Sequence, residues 1–269
     1  MDFQSMRHAP FLVDMLRARL ARDADMQQLR DTYLPGNCAE LPEMSSAKLW
    51  NSLSGYEDVP EVRLRRLARV AELLPDEGRI LDIGVGWGEI IPLLSGKKGR
   101  KYVGLDFSEA MIDQVRKKFP EVELIHGDIS HLPGSFDVIM ALEVCEHIVA
   151  HKVMEFYRQI AERLSNGGIF VVTVPLHEDL KGMTLCCPGC GTWHNRMGHV
   201  RSYTPKLIES ELRLAGFSIL SMDFIYAHFP SGVLGALKRH VVDVGRKLLG
   251  FGATSPLNAI VVASRNADA

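Results

Sequence analysis

The chain has 269 residues and a formal net charge of −2, so it can bury a sizeable core and has no overall field that would draw it to nucleic acid. Its 5 cysteines are an odd number, and Cys186, Cys187 and Cys190 are clustered, which argues against a disulfide framework. No apolar run has the length of a transmembrane helix, and Met1-Asp2-Phe3-Gln4 lacks the basic and apolar regions of a signal peptide. A cytoplasmic protein is expected.

Residues 1–75 read as a helical segment. Phe11, Met15, Leu16 and Leu20 follow helical spacing, and Val62 to Leu74 repeats the pattern with Leu64, Leu67, Val70, Leu73 and Leu74. The stretch Arg79 to Glu89 then changes character. Ile80, Leu81 and Ile83 form the apolar run of a buried parallel strand, and Gly84, Gly86 and Gly88 make a turn that leaves the backbone open to a ligand. A short helix is predicted to follow, with Pro92 in its first turn. Lys101 to Leu105 is a second strand, and it ends in Asp106, an acid placed to accept from two ribose hydroxyls.

The glycine spacing is G-x-G-x-G, and Glu89 stands where a dinucleotide fingerprint has its last glycine. A carboxylate at the helix start would repel a pyrophosphate, and Asp82 adds a second negative charge. A nucleoside with a cationic tail and no phosphate suits these acids better. Asp82-x-Gly84-x-Gly86-x-Gly88 followed by Asp106 resembles the class I S-adenosylmethionine-dependent methyltransferases. The resemblance implies an S-adenosylmethionine cofactor whose methionine end lies at Asp82 and the glycine turn and whose ribose lies at Asp106. It also implies that part of 1–75 closes over the cofactor as a lid; the residues alone fit padding of the sheet edge equally well.

The elements that follow keep the same order. Ser108 is the expected cap of a helix from Glu109 to Phe119, and Phe107 suits packing either on an adenine or in the core. Val122 to His126 is the third strand, and after it, at Asp128 and Ile129, the family places an acid that accepts from the adenine amino group. Phe136 to Leu142 is the fourth strand, His151 to Leu164 an amphipathic helix and Ile169 to Pro175 the fifth strand. The resemblance therefore spans a whole domain core over 79–175.

Glu143-Val144-Cys145-Glu146-His147 falls at the carboxyl end of the fourth strand, where the crevice should be. In one reading His147, with Glu146 and His199, acts on the substrate, since an imidazole can take a proton from a hydroxyl near neutral pH. In another, Glu143, Glu146, His147 and His199 hold a divalent cation; a similar constellation occurs in RNA 3′-terminal 2′-O-methyltransferases and quinone-biosynthesis O-methyltransferases. In a third, Glu146 and His147 only cap the next loop. Glu143 is also placed beside the cofactor.

Residues 176–203 are an insertion. Cys187-Pro188-Gly189-Cys190-Gly191 has the shape of a zinc knuckle turn, and His194 and His199 are the nearest further ligands. Structural zinc is expected there, and His199 cannot serve both metals. Thr204-Pro205 starts a helix that runs to Ala215-Gly216. Phe217 to Tyr226 is a sixth strand and Asn258 to Ser264 a seventh, inserted antiparallel at the edge. Between them, within a second insertion (228–256), residues 233–251 form a basic amphipathic helix. It suits contact with a membrane or lipid, or with a second copy of the chain.

The expected protein is thus a doubly wound, seven-stranded α/β Rossmann-like methyltransferase domain (76–269) preceded by the helical segment 1–75. Its expected acceptor is a hydroxyl or amine of a small molecule, such as a natural-product intermediate or a sugar. An RNA 2′-O-methyltransferase is the alternative, weakened by the absence of a basic domain. A non-catalytic cofactor-binding regulator is the other.

Overall fold

The computed structural model describes residues 61–94, 99–186, 191, 193–226, 232–248 and 256–266. The sequence readings for 1–60, Cys187 and Cys190 lie outside these residues. Two compact units are present, with 181–198 in one and the described residues of 61–180 and 199–266 in the other.

In chain order the larger unit contains α1 (Glu61–Leu73), β1 (Glu77–Ile83), α2 (Ile91–Leu94), β2 (Gly99–Asp106), α3 (Glu109–Lys118), β3 (Glu123–His126), β4 (Phe136–Leu142), α4 (Ala150–Arg163) and β5 (Leu164–Pro175). Beyond the smaller unit, in which β6 (Thr184–Cys186) pairs antiparallel with β7 (Trp193–Asn195), come α5 (Pro205–Leu214), β8 (Phe217–Ile225), α6 (Gly232–Leu248) and β9 (Asn258–Arg265). The seven-stranded sheet has the order β3-β2-β1-β4-β5-β9-β8. The β1 to β5 pairings are parallel, whereas β9 is antiparallel to both of its neighbours. The order reverses beside β1, so the crevice outside the carboxyl ends of β1 and β4 is a topological switch point, where open α/β sheets bind ligands.

Strand alternation divides the core into two layers. Leu81, Val103, Ile139, Phe170 and Val172 face one side, against Val153, Tyr157 and Ile160 of α4 and Ile208 and Leu212 of α5. Ile80, Val138, Met140, Val171 and Ile260 face the other, against Leu67 and Val70 of α1. Burial on both faces explains why these strands read as unbroken apolar runs.

Three expectations are corrected. The last strand is not at the edge: β9 lies between β5 and β8. Its run Asn258 to Ala263 is buried throughout, while β8 exposes Leu220. The fifth strand begins earlier than Ile169, because Leu164 already pairs with Phe136 and a register shift at the Asn-Gly-Gly turn absorbs the extra residues. Leu64 is an exposed residue of α1, whose buried positions are Arg66, Leu67 and Val70. The caps are as expected, Ser108 accepting from Met111 N and Thr204 from Leu207 N with Pro205 at the helix start. On α6, the helix read from the sequence as basic and amphipathic, Leu234, Leu237, Val241 and Val244 are exposed, and the Arg239 guanidinium lies 4.1 Å from the centroid of the Tyr226 ring. No helix among the described residues is long and apolar enough to cross a membrane.

Candidate active site

The glycine turn between β1 and α2 is fastened to the end of β2 by its own amides. Gly84 N and Val85 N both donate to Leu105 O, at 2.7 and 3.2 Å. Gly86 N donates to Asp106 Oδ2 at 3.1 Å, and Ser108 N donates to Oδ1 at 2.9 Å. Gly84, Gly86 and Gly88 all have left-handed φ, but two of them face different surroundings. A Cβ on Gly88 would meet Ile91 and Val115 at 3.0 Å, so that position serves helix packing. Among the described residues, a Cβ on Gly86 would meet nothing nearer than Gly84 O at 3.9 Å. The described residues leave a cradle open there, and this backbone is where a ligand can come closest.

Asp82 lies beneath the turn, almost fully buried, and accepts from the Tyr102 hydroxyl at 2.7 Å. Burial pushes its carboxyl up to about 7, against the pull of that hydrogen bond. Burial also raises Asp106, which the Ser108 and Gly86 amides partly offset. In the folded protein Asp82 holds a proton at pH values where the unfolded chain has already released it. Its contribution to stability is therefore full below the ordinary carboxylate range and is lost as pH rises through about 7. The ligand-free protein is expected to lose melting temperature over that window relative to Asp82→Asn. Parallel melting curves for the two proteins between pH 4 and 8 would contradict this.

Farther along the crevice, Phe107 is 40% exposed, enough to offer a ring face to a ligand. Asp128 is exposed and caps the one-turn helix Ile129–His131 by accepting from Ser130 N at 2.8 Å. The Ile129 side chain belongs to the core, so only its backbone can face a ligand.

The fourth expected region is built around Glu143, which has φ 58. A left-handed residue that is not glycine marks a backbone held by its surroundings. Here Glu143 N donates to Thr173 O, while its carboxylate accepts from Thr173 Oγ1 at 2.8 Å and Asn258 Nδ2 at 2.9 Å and pairs with Arg66 at 2.9 Å. Val144 packs against the glycine turn, since a Cβ on Gly84 would lie 2.8 Å from its Cγ2. The short helix Cys145–His147 is thus held directly beside the cradle.

Residues 199–203 pack onto this short helix. Val200 N and Arg201 N donate to Glu146 O at 2.9 and 3.2 Å, and the Tyr203 hydroxyl donates to Cys145 O at 3.3 Å. Arg201 pairs with the buried carboxylate of Glu211, and that pair helps to fix the segment. The result is that the His147 and His199 rings lie edge to face with centroids 4.8 Å apart. His199 Nδ1 is 2.7 Å from Glu178 Oε2. Glu146 is fully buried, and burial, with Glu143 nearby, holds its carboxyl well above the usual range.

Sequence reading thus brought together Glu146, His147 and His199, and it missed what holds them. Glu178 carried no motif. Arg63 and Arg66 of α1 also reach the crevice: Arg63 pairs with Glu89 and lies 4.8 Å from the centroid of the Trp87 ring. The only signal for them was two arginines at i and i+3 on a helix preceding the glycine turn. Of the expected zinc ligands, His194 is on β7 in the smaller unit, whereas His199 belongs to the larger one and is engaged by Glu178.

A doubly wound sheet with an open glycine cradle and an anchored acid at the end of the second strand defines a nucleoside-binding α/β protein. Residues 57–222 match the family model described as a methyltransferase domain, and the chain belongs to that family, the class I S-adenosylmethionine-dependent methyltransferases. It is 31% identical over 145 residues to a probable S-adenosylmethionine-dependent methyltransferase of Mycolicibacterium smegmatis, covering 52% of each chain. It is 31% identical over 175 residues to a ubiquinone biosynthesis O-methyltransferase of Azorhizobium caulinodans, covering 60% of this chain and 68% of that one. The chain spans about half the length of several curated relatives it matches, the mycobacterial one among them. Among solved structures, a SAM-dependent methyltransferase from Archaeoglobus fulgidus shares the fold, with a TM-score of 0.58 at 18% identity, covering 81% of this chain and 99% of the other.

The cradle at Gly86 and the anchored Asp106 fit the family's cofactor. Asp106 already accepts from two protein amides, and each carboxylate oxygen retains a lone pair for a ribose hydroxyl.

Proposed function

We infer that the chain transfers a methyl group from S-adenosylmethionine to a hydroxyl of a small organic acceptor. The observation that carries this is the His147–His199 pair, 4.8 Å apart beside the cradle, with the Glu178 carboxylate on one ring. A hydroxyl must lose its proton as the methyl arrives, and an imidazole beside it can accept that proton, whereas an amine that is already neutral attacks through its own lone pair. The ubiquinone biosynthesis O-methyltransferase among the relatives supports this acceptor class, and the near-neutral net charge gives no support to an RNA acceptor.

The bound cofactor supplies an electrophilic methyl on a sulfonium. The chain supplies position: the glycine turn and Asp106 fix the nucleoside, and the short helix Cys145–His147 sets the acceptor side. Holding the two reactants in line accounts for most of the rate gain. The imidazoles of His147 and His199 meet the hydroxyl, and Glu178 orients the second of them. Structural zinc, read from the sequence at Cys187 and Cys190 with His194 and His199 as the nearest further ligands, belongs to the same proposal, and with His199 engaged at the acceptor side it takes its fourth ligand elsewhere.

Calorimetry with S-adenosylhomocysteine tests the cofactor half of this reading. Saturable binding is expected, and Asp106→Ala should weaken it by roughly 1–3 kcal/mol, the range for hydrogen bonds lost to a charged acceptor. Tight binding of a nicotinamide dinucleotide with no response to S-adenosylhomocysteine would overturn it. Screening hydroxylated aromatic and sugar acceptors with labelled S-adenosylmethionine tests the other half.

A further inference from the structure

Helix α6 turns its polar side toward its own domain. Arg239 and Asp243, one turn apart, are half-buried, and the Arg239 guanidinium lies over the ring of Tyr226, the residue that follows β8. On the opposite side Leu234, Leu237, Val241 and Val244 recur at helical spacing as one stripe, 46% to 64% exposed. A helix at a protein surface ordinarily turns such a stripe to the core. Large apolar side chains gathered on one exposed face mark a surface that a partner covers. The charges around the stripe select that partner. Gly232–Leu248 carries Lys238, Arg239, Arg246 and Lys247 against one acid, Asp243, in a chain whose formal net charge is −2. Lys238 and His240 are exposed on either flank of the stripe. We propose that the apolar face of α6 seats on an anionic lipid bilayer, with its leucines and valines below the headgroups and its basic side chains among them.

Other occupants suit this face less well. A second copy of the helix would cover the stripe but set like charges against each other. A nucleic acid would meet the charges and leave the stripe in water. The helix lies on the bilayer and does not span it, since no helix among the described residues is long and apolar enough to cross. Its attachment to the fold is fixed at one end of the sheet. The insertion that carries α6 leaves after Ile225 and returns at Asn258, and these two residues pair with each other. Asn258 also pairs with Pro175, at the carboxyl end of β5, and Leu257 N donates to Ile225 O at 2.7 Å. Both connections of the insertion therefore lie at the crevice end of the strands. Asn258 donates from there to Glu143, and Arg65 of α1 donates to Tyr226 O at 3.2 Å. The bilayer contact is thus tied to the wall of the crevice by protein hydrogen bonds.

Vesicle co-sedimentation of the full chain tests this without any acceptor. Saturable binding is expected to vesicles of equimolar phosphatidylcholine and phosphatidylglycerol, with much weaker binding to pure phosphatidylcholine and a steep loss as salt is raised. Leu237→Asp combined with Val241→Asp should weaken binding by about 30-fold or more, because both apolar side chains leave the interface. Lys238→Gln combined with Lys247→Gln should weaken it by about 5-fold for each charge removed. S-adenosylhomocysteine affinity should stay unchanged in both variants, since α6 supplies no residue of the cradle, and it serves as the check that each variant is folded. The lysine pair, which keeps the apolar face, decides the matter if the aspartate pair prevents folding. A wild-type chain that binds S-adenosylhomocysteine and ignores the mixed vesicles overturns the proposal, and so does vesicle binding that is indifferent to both pairs of substitutions. A dimer in light scattering that Leu237→Asp with Val241→Asp dissociates, with vesicles ignored, would give the face to a second copy and overturn it as well. Vesicle binding as expected, with no S-adenosylhomocysteine binding in the wild type, would support the bilayer contact and overturn the cofactor reading instead.

Discussion

Gly86→Val is expected to weaken S-adenosylhomocysteine binding by about 100-fold or more, equivalent to ~3 kcal/mol. Gly86 has φ 51, and among the described residues a Cβ there meets nothing nearer than Gly84 O at 3.9 Å. A side chain at this position would therefore project into the space that the ligand requires. It would also pay for a left-handed backbone, about 1–2 kcal/mol for an L-residue, and that cost must be separated from the steric one. Gly167 provides the control. It has φ 77, none of the described residues lies within 4 Å of a Cβ built on it, and it sits in the turn near the start of β5, at the opposite end of the strands from the crevice. Gly167→Val should lower the melting temperature much as Gly86→Val does and leave S-adenosylhomocysteine affinity intact. Equal affinity in the two variants would mean that the cradle is not where the ligand approaches.

Much of this site was legible because its signals are local. A parallel strand buried on both faces reads as an apolar run, and a turn that must open to a ligand reads as glycine. Asp106 was visible because it ends such a run. The position of β9 was not visible, because its neighbours are set by crossovers and not by any property of Asn258 to Ala263. The start of β5 was hidden by the Asn-Gly-Gly turn, which looked like a boundary and proved to be a register shift inside the strand.

The partners of the charged groups were the least legible part. Glu143 in isolation looked like a cofactor or metal residue, yet Arg66, Thr173 and Asn258 come to it from three other elements of the chain. Glu146, four residues beyond the end of the strand, looked equivalent and is not: it is buried, and among the described residues its carboxylate has no hydrogen-bond partner. Which of two neighbouring acids is structurally committed depends on contacts distant in sequence, and no spacing rule encodes them. The same holds for Glu178, whose meeting with His199 requires the chain to leave β5, pass through the smaller unit and return.

His199→Ala should have the largest kinetic effect, lowering turnover of a hydroxyl acceptor by about 10²–10⁴-fold while S-adenosylhomocysteine affinity stays nearly unchanged. The affinity is spared because Gly86 and Asp106 belong to the other wall of the crevice, and His199 is tied to Glu178 and the short helix Cys145–His147. The loss follows because the imidazole that takes the proton is gone, and the acceptor must surrender its proton unaided. The defect should therefore shrink as pH rises for an acidic phenol, which ionises by itself, and persist for an aliphatic alcohol, which does not. Glu178→Gln should retain part of the activity, since it keeps the size of the side chain and removes only the charge that orients the ring. If turnover survives both His147→Ala and His199→Ala, at all pH values and with every hydroxyl acceptor, the hydroxyl reading fails. The crevice would then work by positioning alone, as suits an amine or a carbon nucleophile.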